Sequence, residues 1–175
     1  IAGYGTGSRL EYLLVPLVFG LGTPLVALVG TNIGAEQRAR ALRAGWIGAG
    51  LAFGVCEAIG LAAAAAPGAW LRLFDGDPAM LDAGTRYLHA VGPIYGFFGV
   101  GMALYFASQG AGRLLWPLLA NFLRLTLAAG GGWLGLRAGG GVTPIFIALG
   151  VALAAFGIVN AIAVARGAWF VRTSA

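Results

Sequence analysis

Lysine is absent from this 175-residue sequence, and charged residues of either sign make up only 10% of it. Soluble domains carry about 25% charged residues. There is too little charge here to clothe a surface facing water, so a soluble globular domain is excluded. The net charge of +5 comes from 11 arginines scattered singly along the chain. A nucleic-acid-binding face would cluster them, so no nucleic-acid partner is expected. A single cysteine, Cys56, excludes an internal disulfide and any cysteine-rich metal site. The single histidine, His89, has no second ligand nearby, and no metal site is expected. No Ser/His/Asp, Cys/His or paired-carboxylate constellation is present, which argues against an enzyme. No basic stretch precedes a short apolar one, so no signal peptide is expected. A chain opening on Ile1 is expected to be a piece of a longer protein.

What is present is apolar surface and glycine. Hydrophobic residues make up 59%, mean hydropathy is +0.87, and there are 31 glycines. Five apolar runs are long enough to cross about 30 Å of hydrocarbon: about 10–33, 44–66, 87–108, 115–136 and 144–165. They are continuous and rich in Ala, Gly and Leu, without the alternation of barrel strands. The expectation is an all-α membrane protein, a polytopic bundle of five transmembrane helices forming a single transmembrane domain over 1–175.

Polar turns punctuate the runs: Gly34–Arg38, Phe74–Pro78, where Asp82 follows near the next helix start, and Gly110–Arg113. Gly3, Gly5 and Gly7 read as a bend before the first span. Pro16, Pro24 and Pro93 lie deep enough to kink their helices. The loops after spans one, three and five hold Arg38, Arg40, Arg43, Arg113, Arg166 and Arg172. The other side holds Arg9, Arg72, Arg86 and Arg137 and most of the acids, including Glu11 and Asp75. The positive-inside rule then predicts a multi-pass protein with its first connection and its C-terminus in the cytoplasm and an upstream span.

Small residues form two stripes. Gly92, Gly96, Gly99 and Ala103 share one helix face, as do Gly150, Ala154, Gly157 and Ala161. Such stripes mark helix contacts in lipid, either fixed packing or a seam that slides during transport. Glu57 falls near the middle of the second run, where an acid costs roughly 2.5–3.5 kcal/mol. Either it hydrogen-bonds a neighbouring helix or it carries a proton or Na⁺. Arg124 shares a face with Asn121 in the fourth run. It either snorkels to the headgroups, clamps two helices, or touches substrate. Gln109, Asn160, Tyr95 and Tyr105 are the other polar groups within spans. The two tyrosines either pack or line a cavity for flat organic cations.

Three segments carry a further signal: Gly3-Tyr4-Gly5-Thr6-Gly7-Ser8-Arg9 running toward Pro16, Val29-Gly30-Thr31-Asn32-Ile33-Gly34-Ala35, and Tyr105 through Gln109-Gly110-Ala111-Gly112. With Leu123-Arg124 they resemble the C-terminal lobe of the multidrug and toxic compound extrusion (MATE) family. The resemblance implies twelve helices in two lobes, the runs here matching helices eight to twelve and the N-terminal lobe being their partner. It implies an antiporter that exchanges Na⁺ or H⁺ for small organic, cationic substrates by alternating access, in contact with membrane lipids and without a cofactor. Some branches of the family couple through an acid on helices seven or ten. The run resembling helix ten, 87–108, has none, so that site is not carried over, and Glu57 is a candidate for ion coupling on physical grounds alone, matching no motif of the family. A lipid-linked oligosaccharide flippase of the same superfamily and a non-transporting membrane scaffold are the rival readings.

Overall fold

Continuous apolar runs satisfy their backbone groups internally, which in lipid leaves helices as the simplest answer. The computed structural model describes residues 2–74 and 76–170, with side chains from residue 5. Every element in it is helical: α1 (Ala2–Gly34), α2 (Arg38–Ala65), a short α3 (Pro67–Leu71), α4 (Pro78–Val91), a 3₁₀ turn (Gly92–Ile94), α5 (Tyr95–Gly110), α6 (Leu115–Arg137) and α7 (Thr143–Ala165). Asp75 and Arg172, used in the arginine and acid count, lie outside the described residues.

Four stretches are long and apolar enough to span a membrane: Gly5–Gly34, Arg38–Ala65, Pro78–Gly110 and Thr143–Ala165. Helix α6 forms where the fourth run was expected, but it is not among them. Asn121, Arg124 and the glycines at 130–132 and 135 dilute its apolar character. Two other expectations change. The third rod begins at Pro78 and not near Tyr87, because Asp77 caps it: its carboxylate accepts from the Met80 N–H at 2.9 Å, with Pro78 in the first turn. The rod therefore contains an acid after all, Asp82. That residue is exposed and paired with Arg86 at 2.8 Å. Gly3, Gly5 and Gly7 form no bend but lie inside α1. A Cβ on Gly7 would sit 2.6 Å from the Tyr87 ring, so the glycine lets that ring lie against the helix.

The α4–α5 rod is the centre of the bundle and packs against α1, α2 and α7. Glycine sets these distances. A Cβ on Gly60 would meet the Gly92 carbonyl oxygen at 2.1 Å, one on Gly99 the Ala52 oxygen at 2.4 Å, and one on Gly157 the Phe97 oxygen at 2.4 Å. Both small-residue stripes are thus helix contacts, the first with α2 and the second with the central rod. Pro93, which has no N–H, coincides with the 3₁₀ turn that breaks that rod. In contrast, α6 packs along α7 and only lightly on α5. Leu119, Trp133, Leu134 and Leu136 on α6 are exposed, a surface suited to lipid or further helices.

Candidate functional site

Because α6 touches little besides α7, a cleft remains between α6 and α1, floored by α5 and α7. Two cavities occupy it. The larger, about 600 Å³, lies between Glu11 of α1, Asn121, Phe122 and Arg124 of α6, and Leu149 and Leu153 of α7. The smaller, about 390 Å³, is bounded by Ser8, Glu11, Tyr12 and Phe19 of α1, Phe98 of α5, and Arg124. Glu11 and Arg124 border both. They are the charged groups of a mostly apolar and aromatic wall to which Ser8, Tyr12 and Asn121 add polar atoms.

Arg124 is half-buried. Its guanidinium is turned inward, 5.6 Å from the ring centroids of both Phe98 and Phe156. Such contacts orient a cation and stabilise it by about 0.5–2 kcal/mol. Asn121, exposed, lies beside it on the same helix face. Of the readings open for Arg124, this geometry ties α6 to α5 and α7 while leaving the guanidinium edge on the cleft.

Glu11 is a residue that the sequence did not single out. It lies roughly 14 Å along α1 at 1.5 Å per residue, one position off the buried stripe of Leu10, Leu14 and Val18. The Tyr87 hydroxyl donates to its Oε1, and the Tyr95 hydroxyl donates to the Tyr87 oxygen at 3.4 Å. Tyr95 is therefore a buried member of a hydrogen-bonded chain that ends at the cleft. Nothing local could have revealed this, since Glu11 and Tyr87 are 76 positions apart.

Glu57 sits elsewhere. It is half-buried on α2, and its Oε2 accepts the Gly96 N–H at 2.8 Å. That amide opens α5 just after the 3₁₀ turn. An unsatisfied amide in hydrocarbon is costly, and a carboxylate suits a helix start. The structure thus brings Glu57 to the break in the central rod and not to the cleft. Tyr105 stacks edge-on against Phe106, with ring centroids 5.7 Å apart, and Gln109 is half-buried near the end of α5. Asn160 is buried, its Nδ2 donating to the Phe156 carbonyl at 2.9 Å and its Oδ1 unpartnered. None of these three borders the two cavities. Among the described residues no group of three or more potential metal ligands occurs.

The sequence motifs also acquire a geometry. Val29 is fully buried, and Gly30 and Gly110 face one another: a Cβ on Gly30 would lie 3.1 Å from the Gly110 oxygen, and one on Gly110 would lie 2.3 Å from the Val26 oxygen. The segments 29–35 and 109–112 therefore meet at one end of the bundle. Gly112 adopts φ 67°, a left-handed conformation that ends α5 while the Arg113 N–H returns to the Ser108 oxygen at 2.9 Å. The segment after α7 lies at the same end, where Trp169 donates to Ser108 Oγ at 2.9 Å and Arg38 lies over Phe170.

Comparison with known proteins agrees. The MatE family matches over residues 1–134. A FAD transporter of Shewanella oneidensis is 32% identical over 129 residues, which cover 73% of this chain and 28% of that protein. The chain thus matches little more than a quarter of that relative's length, and no solved structure matches. With its apolar helices, its paired glycine motifs and a match through most of its length, the chain is a membrane protein that belongs to the MatE family.

Proposed function

We propose that this chain forms part of the C-terminal lobe of an efflux antiporter. That antiporter moves small organic solutes out across the plasma membrane by alternating access in exchange for Na⁺ or H⁺. The observation that supports this reading best is the cleft: an apolar and aromatic wall carrying Glu11 and Arg124 within a bundle built for lipid. Charge in that setting is costly unless it meets a solute, an ion or a partner. Phe19, Phe98 and Phe122 suit flat solutes. Organic cations are the cargo that the family resemblance implies. The relative's name adds a flavin nucleotide, which is flat and anionic.

Two carboxylates are proposed for the coupling ion. Glu57 stands at the helix break, where a change of protonation would alter its hold on Gly96. Glu11 has one oxygen engaged by Tyr87 and borders the cleft. In everted vesicles holding the full-length transporter, an imposed Na⁺ or H⁺ gradient is expected to drive ethidium accumulation. Glu11→Gln or Glu57→Gln should uncouple it. Gradient-driven transport that persists in the double variant refutes the coupling role of both.

A further inference from the structure

We infer that Arg124 is the contact for an anionic group, a phosphate or carboxylate, on a flat-ringed cargo bound in the α1–α6 cleft. The inference rests on the transporter reading and names the substrate class of that same cleft.

Arg124 holds its position through ring faces alone. Phe98 and Phe156 lie at 5.6 Å on α5 and α7, and among the described residues no carboxylate lies within ion-pair distance of the guanidinium. A guanidinium carries five N–H donors in a fixed fork that matches the two oxygens of a carboxylate or phosphate. Ring faces fix the plane of the cation and leave that fork unspent. The position is also where the two cavities of about 600 and 390 Å³ adjoin, so an anion there would be approached from both. Most of the lining side chains are apolar, and a charge-assisted hydrogen bond is stronger beside them than in bulk water. The same walls supply aromatic surface for a ring, with Phe98, Phe122 and Tyr12 lining one cavity or the other.

The other charged group on the cleft is Glu11. Tyr87 occupies its Oε1, and its charge repels an anion across the shared space. The two residues therefore make opposite predictions. Removing the arginine weakens an anionic ligand, whereas removing the carboxylate strengthens it. A purely structural pair would not behave in this way.

The test uses FMN and riboflavin, which share one ring system and differ by a single phosphate. Each is titrated by flavin fluorescence against the full-length transporter in phosphatidylcholine nanodiscs. The wild type is expected to bind FMN about tenfold or more tighter than riboflavin, the size of one charge-assisted contact. Arg124→Gln should erase that preference by lowering FMN affinity far more than riboflavin affinity, and the riboflavin binding that remains shows that the variant is folded. Arg124→Lys should retain part of it. Glu11→Gln should increase FMN affinity. Absence of an FMN preference in the wild type overturns the inference. So does an equal loss of both flavins in Arg124→Gln, or a Glu11→Gln variant that weakens FMN as Arg124→Gln does. A lipid headgroup is the other source of phosphate. If Arg124→Gln lowers the anionic lipid that copurifies, as read by mass spectrometry, and leaves the FMN-to-riboflavin ratio unchanged, the contact is to lipid and the cargo assignment fails. Gradient-driven transport, measured with both ethidium and FMN, separates the two readings. Selective FMN binding without any gradient-driven transport removes the transporter, and transport without FMN selectivity removes the Arg124 contact.

Discussion

Replacing Gly60 by alanine adds one methyl group where two helix backbones touch. The new Cβ would lie 2.1 Å from the Gly92 carbonyl oxygen, against 3.4 Å where ordinary contact begins. The backbones of α2 and the central rod must then part by about 1.3 Å, the difference between those distances. The obstacle is a main-chain oxygen, which cannot rotate away, and it belongs to the 3₁₀ turn that Glu57 helps to hold. Overpacking of this kind costs about 1–3 kcal/mol. Gly54, on the same helix, provides the control. A Cβ there meets nothing within 4 Å, so Gly54→Ala is expected to gain about 0.5–1 kcal/mol through helix propensity. The same chemical change, six residues apart, should move stability in opposite directions, with the two variants separated by about 1.5–4 kcal/mol. Denaturant unfolding of the full-length protein in detergent, followed by tryptophan fluorescence, measures that separation. Gly92→Ala should resemble Gly60→Ala, since its Cβ would lie 2.7 Å from the Gly60 oxygen. If Gly60→Ala proves as stable as Gly54→Ala, the two backbones do not meet at this point and the packing argument fails.

Two further predictions follow from single side chains. Glu57→Leu removes the acceptor of the Gly96 amide and should cost about 1–3 kcal/mol, with faster hydrogen exchange at Gly96. Glu57→Gln keeps a carbonyl acceptor and should preserve protection, and equal exchange in both variants refutes the assigned bond. Glu36 holds a left-handed backbone, φ 58°, in the link between α1 and α2. Glu36→Gly is therefore expected to stabilise by about 0.5 kcal/mol or more after glycine's larger unfolded-state entropy is offset. A loss of stability on unfolding would count against strain at that residue.

How far the sequence anticipated this structure depended on the range of the interaction. Apolar run length is a local property, and it placed α1, α2, α6 and α7 to within a few residues apart from the N-terminal end of α1 and the start of α2. The glycine stripes were legible for the same reason: periodicity puts Gly92, Gly96 and Gly99 on one face whatever lies opposite. The start of the third rod was not legible from hydropathy, because Asp82, Thr85 and Arg86 make its first turns polar. The capping pair Asp77-Pro78 carried that information instead. The cleft could not be read at all. It depends on α6 lying away from α1, and on Tyr87 reaching Glu11 across the bundle. A carboxylate near the start of an apolar run reads as a flank until the helix is known to begin at Ala2.

Helix α6 rests mainly on α7 and only slightly on α5. With α7 as its principal neighbour, its tilt is governed by that one interface, where Gly131 and Gly135 fit against Ala148 and Pro144. Over 23 residues, roughly 35 Å, a swing of about 5° displaces the far end by about 3 Å. Arg124, partway along the helix, would be carried by such a swing away from Phe98 on α5, so its 5.6 Å contact with that ring is what resists the tilt.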